Sequence, residues 1–384
     1  MKETAHKIKQ STEKGGKIRN IESLRLIAIV AILMLHIFHS KMGWHQLNFR
    51  IPLYDEFFSK TADGQKGVDL FFILSGLFFY FGLMKNSTME FGNFLKKKII
   101  RMWPAMAFAV LLSAVFSFFG LAHFDLTGNI YALLFLNGTP LANGNDNISS
   151  WYCSSMLFVF ILFFYLFKNF SRKTFWLSVG VGIYVCFAVM LQAKNFKINS
   201  SSETFGYIFH VGIMRAWCGI GLGAFIGAWY HQNADKIKQF VPSVFCFIAI
   251  SILELLCLCF MVHYLMCHRY IHYNDLMFII VFVVLATSFL CNKGYVSRAL
   301  DLDIFPALAK YVYAIYITHQ VVLGALKRGI WIPHRDFVIS NPITNICLTF
   351  AAVIFVGILT YHLVEKPATK YLMADHCKEN KKQS

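Results

Sequence analysis

The stretch that decides the fold is "ESLRLIAIVAILMLHIF", Glu22–Phe38, an apolar run that carries one arginine and, eleven residues later, one histidine. Since about 20 mostly apolar residues span a bilayer as an α-helix, this run predicts a membrane helix. A helix turns about 100° and rises 1.5 Å per residue, so Arg25 and His36 lie within about 20° of one face and roughly 16 Å apart. Ionisable residues inside a membrane helix are functional candidates, although headgroup snorkelling and interhelical hydrogen bonding are the alternative explanation.

The rest of the chain shares this apolar character, because 57% of its 384 residues are hydrophobic and only 15% are charged. A soluble domain is rarely so apolar. We predict an all-α integral membrane protein with about ten transmembrane helices. The candidate spans are Ile21–Phe38, Val68–Met84, Met102–Ala122, Trp151–Phe167, Phe175–Ala193, Gly206–Tyr230, Phe240–Val262, Asp275–Cys291, Phe305–Leu326 and Pro342–Val364. The run "NIYALLFLNG", Asn129–Gly138, is too short to span and is interpreted as a re-entrant or interfacial piece.

The net charge of +16 alternates by loop. With the N-terminus inside, 23 of the 36 lysines and arginines fall in inner segments, 10 in outer loops and three within spans. This positive-inside pattern predicts cytoplasmic termini and removes the argument for a nucleic-acid partner. We therefore expect a cytoplasmic basic tail at 1–20, a transmembrane domain at 21–370 and a cytoplasmic tail at 371–384, of which Lys378–Ser384 is expected to be disordered.

Neither the cysteines nor the histidines predict a metal site. The ten cysteines form no CxxC pair, and most lie in apolar spans, where cysteine behaves as a small hydrophobe. His268 and His272 are four residues apart in an outer loop, but no third ligand accompanies them. We expect neither a metal ion nor a disulfide framework.

The second span, within "KGVDLFFILSGLFFYF" (Lys66–Phe81), begins with an acid. Asp69 is expected near the depth of His36, where a carboxylate would hold the imidazole tautomer and stabilise its protonated form. The alternative is an acid favoured by the positive end of the helix dipole. Ser75 follows in the same span, and small residues there serve close helix packing or line a pocket.

The third span is opened by "KKKIIRMWP", Lys96–Pro104. Lys98 and Arg101 are three residues apart and thus neighbours on one helix face. One interpretation is a positive-inside anchor with an interfacial tryptophan. The other joins them to Arg25 in a cationic cluster that binds phosphates.

These pieces, together with "YAIYITHQ" (Tyr313–Gln320) and "VEKP" (Val364–Pro367), resemble in their order the acyltransferase 3 family of integral-membrane O-acyltransferases. The resemblance covers about Ile21–Lys370. It implies ten membrane helices and transfer of an acyl group, usually acetyl, from cytoplasmic acyl-coenzyme A to a hydroxyl of an extracytoplasmic glycan or related acceptor.

The resemblance also implies roles for single residues. Arg25 and His36 match the hallmark pair of the family, Lys98 and Arg101 its cationic third-helix motif, and Asp69 and Ser75 its second-helix motif. Coenzyme A phosphates would bind the cations, while the thioester reaches inward to a general base, for which we select His36. His39 lies close by but lacks the Arg25 spacing. Direct attack and an acyl-enzyme both remain open.

Four other residues stand out. His319 matches a recurrent family position and is either a pocket residue or a helix-packing hydrogen-bonder. Arg215 and Lys310 are charges within predicted spans and need partners, and Arg215 is a candidate second phosphate or acceptor contact. Glu365 is expected to be a structural partner of an inner cation.

The chain also departs from the family. Glu22 and Leu26 replace the common aspartate and glycine, and "WYCSSMLFVF" from Trp151 lacks an acid that many members carry.

Three functions remain in competition: O-acetylation of a surface polysaccharide or its lipid-linked precursor, acylation of a lipid or small molecule, and transport or flipping of glycan precursors. Outer aromatic residues would stack on sugars or form an interfacial belt: Trp44, Tyr54, Trp151 and Tyr152. Since the chain ends soon after its last span, we expect it to act alone in the inner (plasma) membrane or with a separate glycan-assembly or acyl-relay partner.

Overall fold

Helices make up almost all of the described chain. A computed structural model describes residues 18–38, 64–86, 88–139, 149–193, 204–205, 209–267 and 275–383. Eight helices are long and apolar enough to cross a membrane. Two strands of two residues each, Thr204–Phe205 and Phe209–His210, pair antiparallel. The prediction of a helical membrane protein is confirmed at this level.

The helices within these described ranges are, in chain order, α1 (Arg19–Phe38), α2 (Gly67–Lys85), α3 (Phe91–Phe118), α4 (Leu126–Leu133), α5 (Ser150–Asn169), α6 (Arg172–Ala193), α7 (Val211–Gln239), α8 (Val244–Cys267), α9 (Asp275–Cys291), α10 (Tyr295–Ala299), α11 (Ile304–Ala309), α12 (Val312–Leu326), α13 (Arg335–Ser340), α14 (Pro342–Thr360) and α15 (Lys366–Gln383). A 3₁₀ turn, Gly64–Lys66, precedes α2, and π-helical turns follow α12 (Lys327–Trp331) and α14 (Tyr361–Glu365).

Each predicted span overlaps a helix, and the main differences concern where helices begin and end. Helix α3 begins at Phe91, so Lys98 and Arg101 lie inside it and Pro104 is in its interior. The span expected from Phe305 is split, because α11 ends at Ala309 and Lys310 precedes α12. Helix α15 continues to Gln383, so the expectation of a disordered C-terminal tail is wrong.

The short run after α3 forms α4, which has eight residues and is too short to cross a membrane, as predicted. Asp125 caps it by accepting a hydrogen bond from the Thr127 amide (3.0 Å). Beyond α4, the buried Asn137 side chain donates to Ser150 Oγ (2.8 Å) and so attaches this segment to the start of α5.

Helices α2 and α7 pack with their backbones close together, because glycines line the contact. A Cβ at Gly76 would collide with the carbonyl of Ile220, and one at Gly223 would collide with the carbonyl of Ile73. Small residues let membrane helices approach in this way. The pairing fixes the position of α2, which carries Asp69 and Ser75.

The start of α1 is anchored to the last turns of α9 and to the segment that follows it. Asn20 Nδ2 donates to the Phe289 carbonyl (2.7 Å), and Arg19 Nε donates to Asp301 Oδ1 (2.9 Å). Helix α1 also packs on α2, since Gly67 leaves room for the backbone of Ala28. These contacts hold α1, and with it Arg25 and His36, in place relative to α2 and α9.

Candidate active site

A cavity of about 340 Å³ lies between α1, α2, α3, α5 and α12. It brings together four of the residues selected from the sequence: Arg25, Ser75, Lys98 and Arg101. Its other lining residues are mostly aromatic and apolar: Glu22, Phe71, Leu74, Phe78, Phe79, Met102, Tyr152, Met156, Phe160, Val312, Tyr313 and Tyr316. The cavity therefore combines cationic side chains with apolar walls.

Two arginines occupy the charged part of this cavity. Arg25 Nη1 donates to Glu22 Oε2 (2.8 Å), one helical turn earlier, and Glu22 is buried. The Arg101 side chain is exposed, so the cavity opens to the surface beside it. Glu365 is buried at the end of the second π-helical turn and interacts electrostatically with both arginines. The expected role of Glu365 as a structural partner of an inner cation stays a prediction.

Lys98 contacts aromatic rings in the same cavity. Its ammonium lies 4.1 Å from the centre of the Phe160 ring, 5.6 Å from that of Phe94 and 5.9 Å from that of Phe79. Ring faces attract cations in this range. The rings therefore hold the Lys98 ammonium at the boundary between the aromatic wall of the cavity and the part that contains Arg25 and Arg101.

Hydroxyl groups form the deeper part of the cavity. Ser75 Oγ and Tyr152 Oη are 3.1 Å apart, and Tyr313 Oη donates to the Met102 carbonyl (2.7 Å). Tyr152 was expected among outer aromatic residues, but it is buried in α5 and packs edge-on against Tyr316 (centroids 5.3 Å apart). The expected outer position of Tyr152 is corrected. Trp44 and Tyr54 lie outside the described residues.

Beyond Tyr316, two histidines meet. The rings of His36 and His319 have centroids 4.9 Å apart, and the Tyr316 ring is 5.8 Å from that of His319. Gln320 Nε2 lies 3.0 Å from His36 Nδ1 and 3.1 Å from Nε2. His36 is partly exposed, whereas His319 is fully buried. His39, the neighbouring histidine considered from the sequence, lies outside the described residues.

Asp69 pairs with Arg215 instead of His36. Arg215 Nε donates to Asp69 Oδ1 (2.9 Å) and Nη2 donates to Oδ2 (3.1 Å), and both side chains are buried. Arg215 also donates to the Gln65 carbonyl (3.2 Å). This corrects the expected Asp69–His36 pair, because the bidentate fit of a guanidinium occupies both carboxylate oxygens. Neither residue lines the large cavity, so an Arg215 contact with phosphate lacks support from the geometry.

The family comparison covers all of these residues except Glu365. Residues 18–362 match the acyltransferase 3 family model, which is described as an acyltransferase domain. The chain belongs to this family. It is therefore a multi-pass membrane acyltransferase that uses an acyl donor. No curated protein and no solved structure matches the chain.

Several residues of the candidate site were not assigned from the sequence. Tyr313, Tyr316 and Gln320 occur in the quoted "YAIYITHQ", where a spacing of three to four residues places them near His319 on one side of α12. That spacing was the available signal, but tyrosines are common in membrane helices for other reasons. Among the described residues, no group of three His, Cys, Asp or Glu side chains is arranged to hold a metal ion. His268 and His272 lie outside them.

Proposed function

We propose that this acyltransferase moves an acyl group, most simply acetyl, from cytoplasmic acyl-coenzyme A to a hydroxyl of an extracytoplasmic polysaccharide or lipid-linked glycan. The observation that supports this best is the cavity, because it combines three cations with apolar walls and is bordered by Tyr316, whose ring lies 5.8 Å from that of His319. Acetyl-CoA has chemical groups that match these features in turn: phosphates for the cations, a long pantetheine arm for the apolar walls, and a thioester for the histidines.

The residues present fit such a donor. Arg101 is exposed and offers bidentate hydrogen bonds to a phosphate, while Arg25 lies beside it on α1. Phe71 and Leu74 supply apolar contacts for the arm, and Ser75 and Tyr152 supply hydroxyls along the way. In this proposal the Arg25 end of α1 faces the cytoplasm, in keeping with the distribution of positive charge.

The acid–base chemistry belongs to the histidine pair. An imidazole titrates close to neutral pH and so suits removal of a hydroxyl proton. His36, the base selected from the sequence, remains a proposal, and its contact with His319 adds a second imidazole to the same centre. Asp69 contributes by holding Arg215 and through it the packing of α2 against α7. The pair serves direct transfer and an acyl-enzyme route equally.

The acceptor and setting are also proposals. We place the enzyme in the inner (plasma) membrane with ten crossings. Its acceptor, a polysaccharide or lipid-linked saccharide, approaches from the His36 end of α1. A separate glycan-assembly or acyl-relay partner would hand on or receive the acylated product. The competing acceptors are a lipid or small molecule, and the competing activity is transport of glycan precursors.

Donor binding can be tested with purified protein in nanodiscs. Wild type should release coenzyme A thiol from acetyl-CoA when a membrane glycan extract is added. Arg101→Gln should raise the KM for acetyl-CoA roughly 10- to 100-fold, because a hydrogen bond to a charged group contributes about 1.5–3 kcal/mol. Lys97→Gln is the matched control, since Lys97 is an exposed cation on the same helix and does not line the cavity. Equal KM values for the two variants would contradict the donor site.

The acceptor can be identified by mass spectrometry of envelope glycans and lipids in a deletion strain complemented with wild type or Arg101→Gln. Loss of O-acetyl groups from a glycan in the deletion strain, restored by wild type, supports the proposed acceptor. Loss of an acylated lipid or small molecule instead identifies that acceptor class. Movement of a glycan precursor with no loss of thioester would indicate transport.

A further inference from the structure

Three aromatic rings close the end of the cavity that is farthest from Arg101. Phe71, Tyr152 and Tyr316 line the cavity there, and each is at most 6% exposed. The ring centroids lie 5.3 Å apart for Tyr152 and Tyr316, 6.1 Å for Phe71 and Tyr316, and 6.2 Å for Phe71 and Tyr152. Aromatic rings at such distances are in contact. This ring triangle, with one ring each from α2, α5 and α12, therefore fills the space between these helices.

The protein is closely packed on the other side of the ring triangle. The Tyr316 ring is 5.8 Å from that of His319, which is fully buried, and neither His319 nor His36 lines the cavity. The volume of about 340 Å³ is near the lower end of the roughly 300–1,000 Å³ that is usual for ligand pockets. A donor whose arm occupies this cavity therefore has little room left for its acyl group.

Hydroxyl groups at the same end indicate which part of the donor lies there. Ser75 Oγ and Tyr152 Oη share one hydrogen bond, and because two hydroxyls have two hydrogens, one O–H is left over. The Tyr316 hydroxyl has no hydrogen-bond partner among the described residues, so its O–H is also left over. Buried donors without an acceptor are costly, and a carbonyl oxygen is a suitable acceptor. The last carbonyl of the donor is that of the thioester, so the acyl group begins at the ring triangle.

We propose that the ring triangle limits the length of the acyl group, so that the enzyme accepts acetyl and discriminates against butyryl and longer chains. The inference rests on the proposed acyl transfer and adds the residues that determine its donor specificity. The thioester carbonyl accepts hydrogen bonds from the Ser75–Tyr152 pair and from Tyr316, and the acetyl methyl group lies against Phe71. A longer chain would have to displace a ring that two other rings hold in place.

Donor specificity is measured with full-length protein in nanodiscs, as the release of coenzyme A thiol from acetyl-, butyryl- or hexanoyl-CoA in the presence of a membrane glycan extract. Wild type should have a kcat/KM for acetyl-CoA at least about tenfold above that for butyryl-CoA, because one methylene group changes discrimination about 10- to 200-fold. Phe71→Ala removes one ring of the triangle. It should raise the butyryl-to-acetyl ratio of kcat/KM by about tenfold or more.

Phe78→Ala is the matched control, because it removes the same ring from the same helix and the same cavity. Phe78 is seven residues farther along α2, about 10 Å from Phe71, and is the neighbour of Phe79, whose ring faces Lys98. Loss of the Phe78 ring should raise the KM for all three donors alike, since it contacts the arm that they share. The butyryl-to-acetyl ratio should stay at the wild-type value.

Folding is checked by monodisperse elution of each variant, and Phe71→Leu replaces Phe71→Ala if the latter does not fold. Three results would overturn the inference and leave the acyltransferase intact: use of hexanoyl-CoA by wild type as efficiently as acetyl-CoA, an unchanged ratio in the Phe71 variant, or the same shift in the Phe71 and Phe78 variants. Absence of thiol release from all three donors in wild type would instead reject the proposed function.

Discussion

At the scale of single residues, the Asp69–Arg215 ion pair is the main correction to the sequence-based site. The aspartate is separated by 146 positions from its partner. Arg25, Ser75, Lys98 and Arg101, which the sequence motifs selected, line one cavity, while their roles stay predictions. The motifs did not predict the partner of Asp69, since that depends on how α2 and α7 pack.

Substitutions in the Asp69–Arg215 ion pair test whether Asp69 is structural or catalytic. Asp69→Asn should lower the thermal midpoint strongly, because breaking a buried pair leaves one charge uncompensated at about 3–5 kcal/mol. The double variant Asp69→Asn/Arg215→Gln should recover much of that stability along with thiol-release activity. Differential scanning fluorimetry measures the thermal midpoint, and the nanodisc assay measures the release of coenzyme A thiol. A double variant that is stable but inactive would show that Asp69 acts in the chemistry.

At the scale of helices, the α2–α7 contact depends on glycine. Hydropathy predicted both helices but not their closeness, which depends on Gly76 and Gly223 having no side chain. Hydropathy also did not predict the break at Lys310 or the helical tail, because helix ends are set by caps and local hydrogen bonds. Helix existence was thus more predictable than helix length.

The glycine contact predicts a position-dependent effect of alanine. Gly223→Ala should destabilise the protein by about 1–3 kcal/mol, because the added methyl group collides with the Ile73 carbonyl and an overpacked contact must shift. Gly82→Ala, in α2, is the control. It has nothing within 4 Å and should be neutral or slightly stabilising, since alanine favours helix. The two variants are compared by their thermal midpoints in the same detergent. Equal effects of Gly223→Ala and Gly82→Ala would argue against a tight contact between α2 and α7.

Helix α7 begins at an unusual cap. His210 Nδ1 accepts a hydrogen bond from the Gly212 amide (3.1 Å), and burial lowers the pKa of His210 to about 4. The cap works only while Nδ1 is unprotonated. The unfolded chain, with an ordinary histidine pKa of 6.5, takes up this proton first as the pH falls. The contribution of His210 to stability is therefore complete above pH 6.5 and declines between 6.5 and 4.

This pH dependence has a direct control in His210→Asn, because asparagine caps helices without titrating. The thermal midpoint of wild type should fall more steeply than that of the variant between pH 7 and pH 4.5. Parallel curves would mean that other groups account for the acid sensitivity.

At the scale of the whole molecule, the charge distribution predicts the orientation. Eight long apolar helices and two shorter ones, α9 and α12, account for the ten predicted spans. An even number of crossings would place both termini on one side, and the lysines and arginines favour the cytoplasm. The number and direction of crossings remain predictions.

Reporter fusions test this orientation. Alkaline phosphatase fused after Ala122, in the connection between α3 and α4, should be active because that connection is predicted to lie outside. The same enzyme fused after Phe170, between α5 and α6, should be inactive. Green fluorescent protein at the C-terminus should fluoresce. An active Phe170 fusion would reverse the assignment of sides.

The ring of Tyr316 has an electrical consequence. It is only 4% exposed and stands between the cavity beside Arg101 and the two imidazoles. Each proton that crosses a membrane held at 100 mV dissipates about 2.3 kcal/mol of stored energy. A continuous water column from Arg101 to His36 would form a path for that leak. In the proposed reaction, whose two reactants come from opposite sides of the membrane, the Tyr316 phenol would interrupt such a column.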